Sequence, residues 1–199
     1  MAVKKAVFLD KDGTLIPDIP YNVNTSLIHL SENCISGLKA LQEMGYIFVV
    51  ITNQSGIASG FFNHDAVQAV SLKLKMLFAE NGLELAGFYY CPHKAGTSEA
   101  DSCTCRKPLP GLFYNAAEEL DIDLSSSWMI GDILHDIEAG HRAGCKSILI
   151  NNGNETEWKR SHLRIPQALV PHIDAAAAYI IELEVRQREK GHRFNYTEG

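Results

Sequence analysis

Two aspartates one residue apart carry the most chemistry in this chain. In Val7-Phe8-Leu9-Asp10-Lys11-Asp12-Gly13-Thr14-Leu15 an apolar run ends in carboxylates and is followed at once by a glycine. In open parallel α/β sheets ligands sit outside the carboxyl ends of the strands, so Asp10 and Asp12 at such an end would face the crevice. There Asp10 could attack phosphorus and hold the phosphoryl group covalently. Asp12 would protonate the leaving oxygen and later deprotonate water. An aspartate of ordinary pKa ~3.9 is protonated in only about one molecule in a thousand at pH 7, so this role requires a raised pKa. Two solvated aspartates at a strand end fit the same short motif, and the remaining segments must decide between the readings.

A second group lies at Thr52-Asn53-Gln54-Ser55, which closes the apolar run Tyr46 to Ile51. The Thr52 hydroxyl and the amides of Asn53 and Gln54 can donate to phosphoryl oxygens, as backbone amides at such turns do. A third is Cys91-x-His93 with Cys103-x-Cys105, a complete tetrahedral ligand set for zinc. A disulfide between Cys103 and Cys105 would close a short, strained ring and leave Cys91 unpaired. Four protein ligands leave no position for water, so this zinc is structural: it fixes a loop of about residues 91–107 and holds Arg106 and Lys107 beyond it.

The elements that must position these groups alternate. Ala6 to Leu9, Tyr46 to Ile51, Gly87 to Tyr90, Ser127 to Ile130 and Ser147 to Ile150 read as short buried strands. Between them Ile35, Leu38 and Leu41 recur at helical spacing and stop at Gly45. Val67, Val70, Leu74 and Leu77 form a second stripe, started by Asn63 and ended by Asn81-Gly82. Phe113, Ala116 and Leu120 form a third, with Pro110 at its first turn. The pattern predicts an α/β fold, a central parallel sheet with helices on both faces. Ile173 to Lys190 reads as a terminal amphipathic helix packed on the sheet.

Composition bounds the rest. With 199 residues, 46% of them hydrophobic, the expectation is one domain spanning 1–199. A net charge of −6 argues against a nucleic-acid groove but allows a small anionic substrate met by local cations. The N-terminal apolar run is cut by Asp10 before it reaches signal-peptide length, and no stretch approaches the ~20 residues of a membrane span. The reading is a cytoplasmic protein without membrane partners. Five cysteines, an odd number clustered around one loop, fit metal ligation in a reducing compartment, with Cys34 and Cys145 as buried hydrophobes. Oligomeric state, a monomer included, is left open.

Asp10-Lys11-Asp12-Gly13-Thr14, Thr52-Asn53-Gln54-Ser55-Gly56, Cys91-Pro92-His93 with Cys103-Thr104-Cys105-Arg106-Lys107-Pro108, and Gly131-Asp132-Ile133-Leu134-His135-Asp136 follow one another in this order. In order and type they resemble the haloacid dehalogenase (HAD) superfamily, over about residues 5–151. The similarity is to its small-capped, zinc-loop branch, which includes heptose 1,7-bisphosphate and histidinol-phosphate phosphatases. That resemblance implies a Rossmann-like HAD fold with a minimal cap. It implies a magnesium ion held by Asp10, the Asp12 backbone carbonyl and Asp132, with Asp136 supporting the ligands from outside. It also implies Thr52 and Lys107 as the phosphate-binding hydroxyl and lysine, and Arg106 with the Asp18 to Tyr21 loop as substrate contacts. The implied substrate is a small phosphorylated metabolite, foremost D-glycero-D-manno-heptose 1,7-bisphosphate, with histidinol phosphate or another sugar phosphate as the alternative. Ile133 departs from the branch, whose heptose bisphosphatases carry lysine there. A non-catalytic zinc-loop interaction module would have lost at least one of Asp10, Asp12, Thr52, Lys107 or Asp132, and all are present.

Overall fold

The computed structural model describes residues 3–96, 103–159 and 161–194. Its strands are β1 (Lys5–Leu9), β2 (Tyr46–Asn53), β3 (Leu85–Cys91), β4 (Trp128–Gly131), β5 (Lys146–Ile150) and β6 (Ala168–Val170). The principal helices are α1 (Ile35–Glu43), α2 (His64–Glu80), α3 (Gly111–Leu120), α4 (Leu134–Ala143) and α5 (Ile173–Phe194). The strands form one sheet in the order β3-β2-β1-β4-β5-β6, with every adjacent pair parallel. This is the doubly wound order, and it reverses between β1 and β4, where such sheets place their ligand crevice.

Strands β1, β2, β4 and β5 are buried on both faces, which is why they read as nearly unbroken apolar runs, whereas β3 is partly buried and β6 has no buried residue. Side-chain alternation along β1 sends Val7 and Leu9 into one core with Leu38 and Leu41 of α1, Leu74 and Phe78 of α2, and Ala177 and Ile180 of α5. Ala6 and Phe8 enter the other, against Phe113 and Ala116 of α3 and Ala139 of α4. The stripes expected at α1, α2, α3 and the C-terminal helix are these core faces.

Helix ends follow local chemistry with two differences from the expected pattern. Asn63 accepts from the Ala66 amide and starts α2, and Gly82 (φ +71) lies just past its end. Pro110 occupies the cap position of α3 and the helix begins at Gly111, one residue later than expected. No side chain adjacent in sequence caps α1. The Asp174 carboxylate of α5 does so, accepting from the Ser36 hydroxyl at 2.5 Å and the Gly37 amide at 2.7 Å. Gly37 is required there, since a Cβ would lie 2.8 Å from the Asp174 Cα. This contact docks the terminal helix onto α1.

Phe113 is fully buried and its ring lies 4.8 Å from that of Phe8, directly behind the strand that ends in Asp10. Phe113→Ala should therefore cost about 3–5 kcal/mol. Urea unfolding should show a lower midpoint with an unchanged slope, and a loss under about 1 kcal/mol would contradict this packing role.

Candidate active site

The sheet brings the chemistry to one place. The Asp10 amide donates to the Ile130 carbonyl at 3.0 Å, continuing the β1–β4 pairing one step past the strand. Asp10 and Asp132 thus leave adjacent strands at the point where the strand order reverses. Gly13 (φ +78) turns the chain between them, and a Cβ there would sit 2.2 Å from Asp132 Oδ2. Gly131 is equally constrained, its Cβ position lying 2.3 Å from the Asp136 side chain.

Lys107 occupies the centre. Its ammonium, 3% exposed as a residue, lies 2.5 Å from Asp10 Oδ1 and 2.6 Å from Asp136 Oδ1, and donates to the Ile51 carbonyl at 2.9 Å. Burial pushes the lysine pKa down, but the Asp10 and Asp136 carboxylates outweigh it and the net shift is upward. The backbone of Lys107 is gripped as well: its amide donates to Asn53 Oδ1 at 3.1 Å, and Asn53 Nδ2 donates to its carbonyl at 3.2 Å. Asp136 is fully buried, so its contact is with Lys107 rather than with solvent at a helix turn.

Asp12 is held at both oxygens, by the buried Lys11 ammonium at 2.7 Å and by Gln54 Nε2 at 3.2 Å. Burial raises its pKa, Lys11 opposes, and the nearby Asp10 charge adds to the rise; the net direction is upward, as an acid role requires. Gln54 Nε2 also donates to Thr52 Oγ1 at 2.9 Å. The expectation that the Gln54 amide would donate to phosphate is corrected: its backbone N–H donates to the Cys91 carbonyl at 2.7 Å, and its side chain is spent on Asp12 and Thr52. Gln54 orients the site from beneath.

Asp10, Asp12, Asp18, Thr52, Asn53, Lys107 and Asp132 share one open cleft of about 220 Å³, lined also by Ile133 and Asn154. Tyr21 and Arg106, expected as substrate contacts, are not in that lining, and neither is Ser55 of the segment that follows β2. Tyr21 stands exposed with its ring edge-on to Phe61, 4.6 Å away. Arg106 donates from Nη1 to the His93 carbonyl at 2.8 Å, which ties its guanidinium to the cysteine-rich loop.

Two side-chain clusters fit metal ions. Oxygens of Asp10, Asp132 and Asp136 lie within 4.8 Å of one another, all three residues being buried. Burial, with the charges of Asp10 and Asp136, pushes Asp132 up to about 8, while burial and Asp10 push Asp136 up to about 6 against Lys107. Lys107 is the cation within this group, so hard oxygen donors and surplus negative charge suit a divalent ion. The other cluster is Cys91, His93, Cys103 and Cys105. His93 Nδ1 lies 3.4 Å from the Cys91 sulfur and 3.3 Å from that of Cys105. Zinc bonds of 2.0–2.3 Å would set such tetrahedral neighbours about 3.5 Å apart. All three cysteines are free thiols, so the Cys103–Cys105 disulfide is not formed. Residues 97–102 of the expected 91–107 loop lie outside the described residues.

The sequence reading assigned no role to Thr14, Asn152 or Asn154. Thr14 Oγ1 donates to Asp132 Oδ1 at 3.1 Å, Asn154 Nδ2 to Asp132 Oδ2 at 2.7 Å, and Asn152 Nδ2 to the Gly13 carbonyl at 2.6 Å. The available signal was the polar run Asn151-Asn152-Gly153-Asn154 at the C-terminal end of an apolar strand, the sheet edge where function concentrates.

The doubly wound sheet carries carboxylates and a buried lysine at its switch point, and the HAD-hydrolase-like family model matches residues 104–176. The chain is 41% identical over 154 residues to D-glycero-β-D-manno-heptose-1,7-bisphosphate 7-phosphatase of Pasteurella multocida (strain Pm70), covering 76% of this chain and 84% of that one. It is 41% identical to the protein of the same name from Vibrio cholerae, with 75% and 83% covered. Among solved structures, D,D-heptose 1,7-bisphosphate phosphatase from B. bronchiseptica, complexed with magnesium and phosphate, superposes with a TM-score of 0.73. It is 26% identical, and the match covers 89% of this chain and 98% of that one. The chain belongs to the family of HAD-like phosphatases that these proteins represent.

A carboxyl whose pKa is higher folded than unfolded favours folding at low pH and loses that advantage as pH rises from about 4 through its folded value, here about 8. Without added divalent cation, Asp132→Asn should therefore gain stability relative to the parent as pH rises from about 5 to about 8. Paired denaturant titrations check this, and a pH-independent difference would contradict it.

Proposed function

We propose that this protein is a magnesium-dependent phosphatase that hydrolyses one phosphate, the 7-phosphate, of D-glycero-D-manno-heptose 1,7-bisphosphate through an aspartyl-phosphate on Asp10. The observation that carries the chemistry is the Asp10 carboxylate, buried at the end of β1 against Lys107 with the raised-pKa Asp12 beside it. The substrate assignment draws on the names of the relatives.

In the first half-reaction an Asp10 oxygen forms a bond to phosphorus as the ester P–O bond breaks, and Asp12 gives its proton to the departing sugar oxygen. In the second, Asp12 takes a proton from water, whose oxygen bonds to phosphorus and releases inorganic phosphate from Asp10. Thr52 and the Asn53 amide bind the phosphoryl oxygens, and the Lys107 ammonium stabilises their charge. Asp136 positions that ammonium. Magnesium bound by Asp10, the Asp12 carbonyl and Asp132 would offset the repulsion between a carboxylate nucleophile and a phosphate dianion.

Zinc held by Cys91, His93, Cys103 and Cys105 would order the loop that carries Arg106 toward the groups of the substrate remote from the reacting phosphorus, with Asp18 and Tyr21 contributing from the loop after β1. Free thiol ligands support a reducing compartment, the cytoplasm. No helix among the described residues is long and apolar enough to cross a membrane. Both cores share the central sheet, which supports one catalytic unit over 1–199.

Asp10→Asn should abolish phosphate release while leaving the fold intact. Asp12→Asn should slow turnover about 10²- to 10⁴-fold. Ordinary activity in Asp10→Asn, once contaminating phosphatase is excluded, would sink the covalent route.

Arg106→Ala should cost more in kcat/KM with the heptose bisphosphate than with a small artificial phosphate ester, because only the larger substrate reaches it. A panel of sugar phosphates and histidinol phosphate checks the assignment. Equal losses for every substrate, or a clear preference for histidinol phosphate, would refute the heptose assignment and leave the chemistry standing.

A further inference from the structure

The segment between β5 and β6 touches the cleft at several points. Asn152 Nδ2 donates to the Gly13 carbonyl at 2.6 Å, which holds the turn after the two aspartates. The Asn154 amide donates to Asn152 Oδ1 at 3.2 Å, and Asn154 Nδ2 reaches Asp132 Oδ2 at 2.7 Å. Glu155 Oε2 accepts from the Leu134 amide at 2.6 Å, at the start of the helix that follows Asp132. The other Glu155 oxygen accepts from the amides of Glu157 at 2.8 Å and Trp158 at 3.3 Å, which closes the loop on itself. The segment therefore braces the Gly13 turn, the Asp132 carboxylate and the first turn of α4.

From this geometry we infer that Asn154 is a positioning residue for Asp132, and that through it the β5–β6 loop sets the affinity of the carboxylate cluster for its divalent cation. The inference rests on the magnesium reading above. The choice of side chain follows from charge. Asp132 stands within 4.8 Å of the Asp10 and Asp136 carboxylates, and their repulsion drives it away from the geometry a shared cation needs. A lysine or arginine at position 154 would hold Asp132 but repel the cation; an acid would add to the repulsion. A neutral amide donor holds the carboxylate and leaves its charge for the metal. Gly13 leaves the room this contact needs, because a Cβ there would stand 2.3 Å from Asn154 Nδ2 and 2.2 Å from Asp132 Oδ2. Thr14 fixes the other oxygen of the same carboxylate, so Asp132 is gripped from two separate loops.

The test is calorimetric titration of magnesium alone, without phosphate, into the full chain with its cysteine loop intact. Partners of metal ligands are typically worth 10–100-fold in metal affinity. Asn154→Ala and the near-isosteric Asn154→Leu should both weaken magnesium binding by about that factor. Saturating magnesium should restore most of kcat, and Asn154→Ser, which keeps a donor, should recover part of the affinity. A purely structural role would lower the melting temperature of the variants without moving magnesium affinity. Magnesium binding within about twofold of the parent in whichever of Ala and Leu folds would overturn the inference. A parent that binds no magnesium would overturn the metal reading itself, and the inference with it.

Discussion

The buried ammonium of Lys107, held between Asp10 and Asp136, is the interaction on which the rest of the site depends. Carboxylates taken out of water are costly, and a pair stripped of one partner leaves an uncompensated charge that destabilises far more than the intact pair stabilises. The fold nevertheless gathers Asp10, Asp132 and Asp136 at the end of β1 and β4. Lys107 compensates part of that charge, while burial, together with the Asp10 and Asp136 charges, still holds the Asp132 carboxyl above its ordinary range. An excess of buried negative charge around hard oxygen donors is what a divalent cation relieves, so binding the ion and stabilising the site are one electrostatic requirement.

Everything that aims Lys107 therefore matters to the chemistry. Its backbone is clasped by Asn53 at the end of β2, which also presents Thr52. Behind it, Gly111 lets the start of α3 approach the Thr104 carbonyl, where a Cβ would come within 2.5 Å. The Cys103–Cys105 segment immediately precedes Arg106 and Lys107, so a metal held there would brace the lysine without touching phosphorus. The arrangement follows a general pattern: rigid strands supply the aspartates, and loops fixed by short polar contacts supply Lys107 and the polar groups around the cleft.

The parts of this design legible in the sequence were those written in local patterns. Unbroken apolar runs gave five of the strands, helical stripes gave the faces of α1 to α3 and of the terminal helix, and Asn63 and Gly82 gave helix limits. The aspartates and the Cys/His set stood out by type and spacing, but it was the ordered family resemblance that separated the aspartates from a plain strand end and marked Thr52 and Lys107. β6 escaped because Ala168–Val170 is too short to show a period. Tertiary partners escaped for a different reason: Asp174 capping α1, Asn53 clasping Lys107, and Asn154 holding Asp132 join residues 22 to 138 positions apart. Gln54 shows the limit most plainly, since its position beside Thr52 implied a phosphate contact while its amide had already been claimed by β3.

The central claim is that Asp10 becomes covalently phosphorylated during turnover. It is tested most directly by quenching the enzyme in acid during steady-state hydrolysis, reducing any acyl phosphate with borohydride, and mapping the product by peptide mass spectrometry. Conversion of Asp10 to homoserine, only when substrate is present, is the predicted result. An unmodified Asp10 peptide in an enzyme that is turning over, with the label at Asp12, Asp132 or nowhere, would contradict the account.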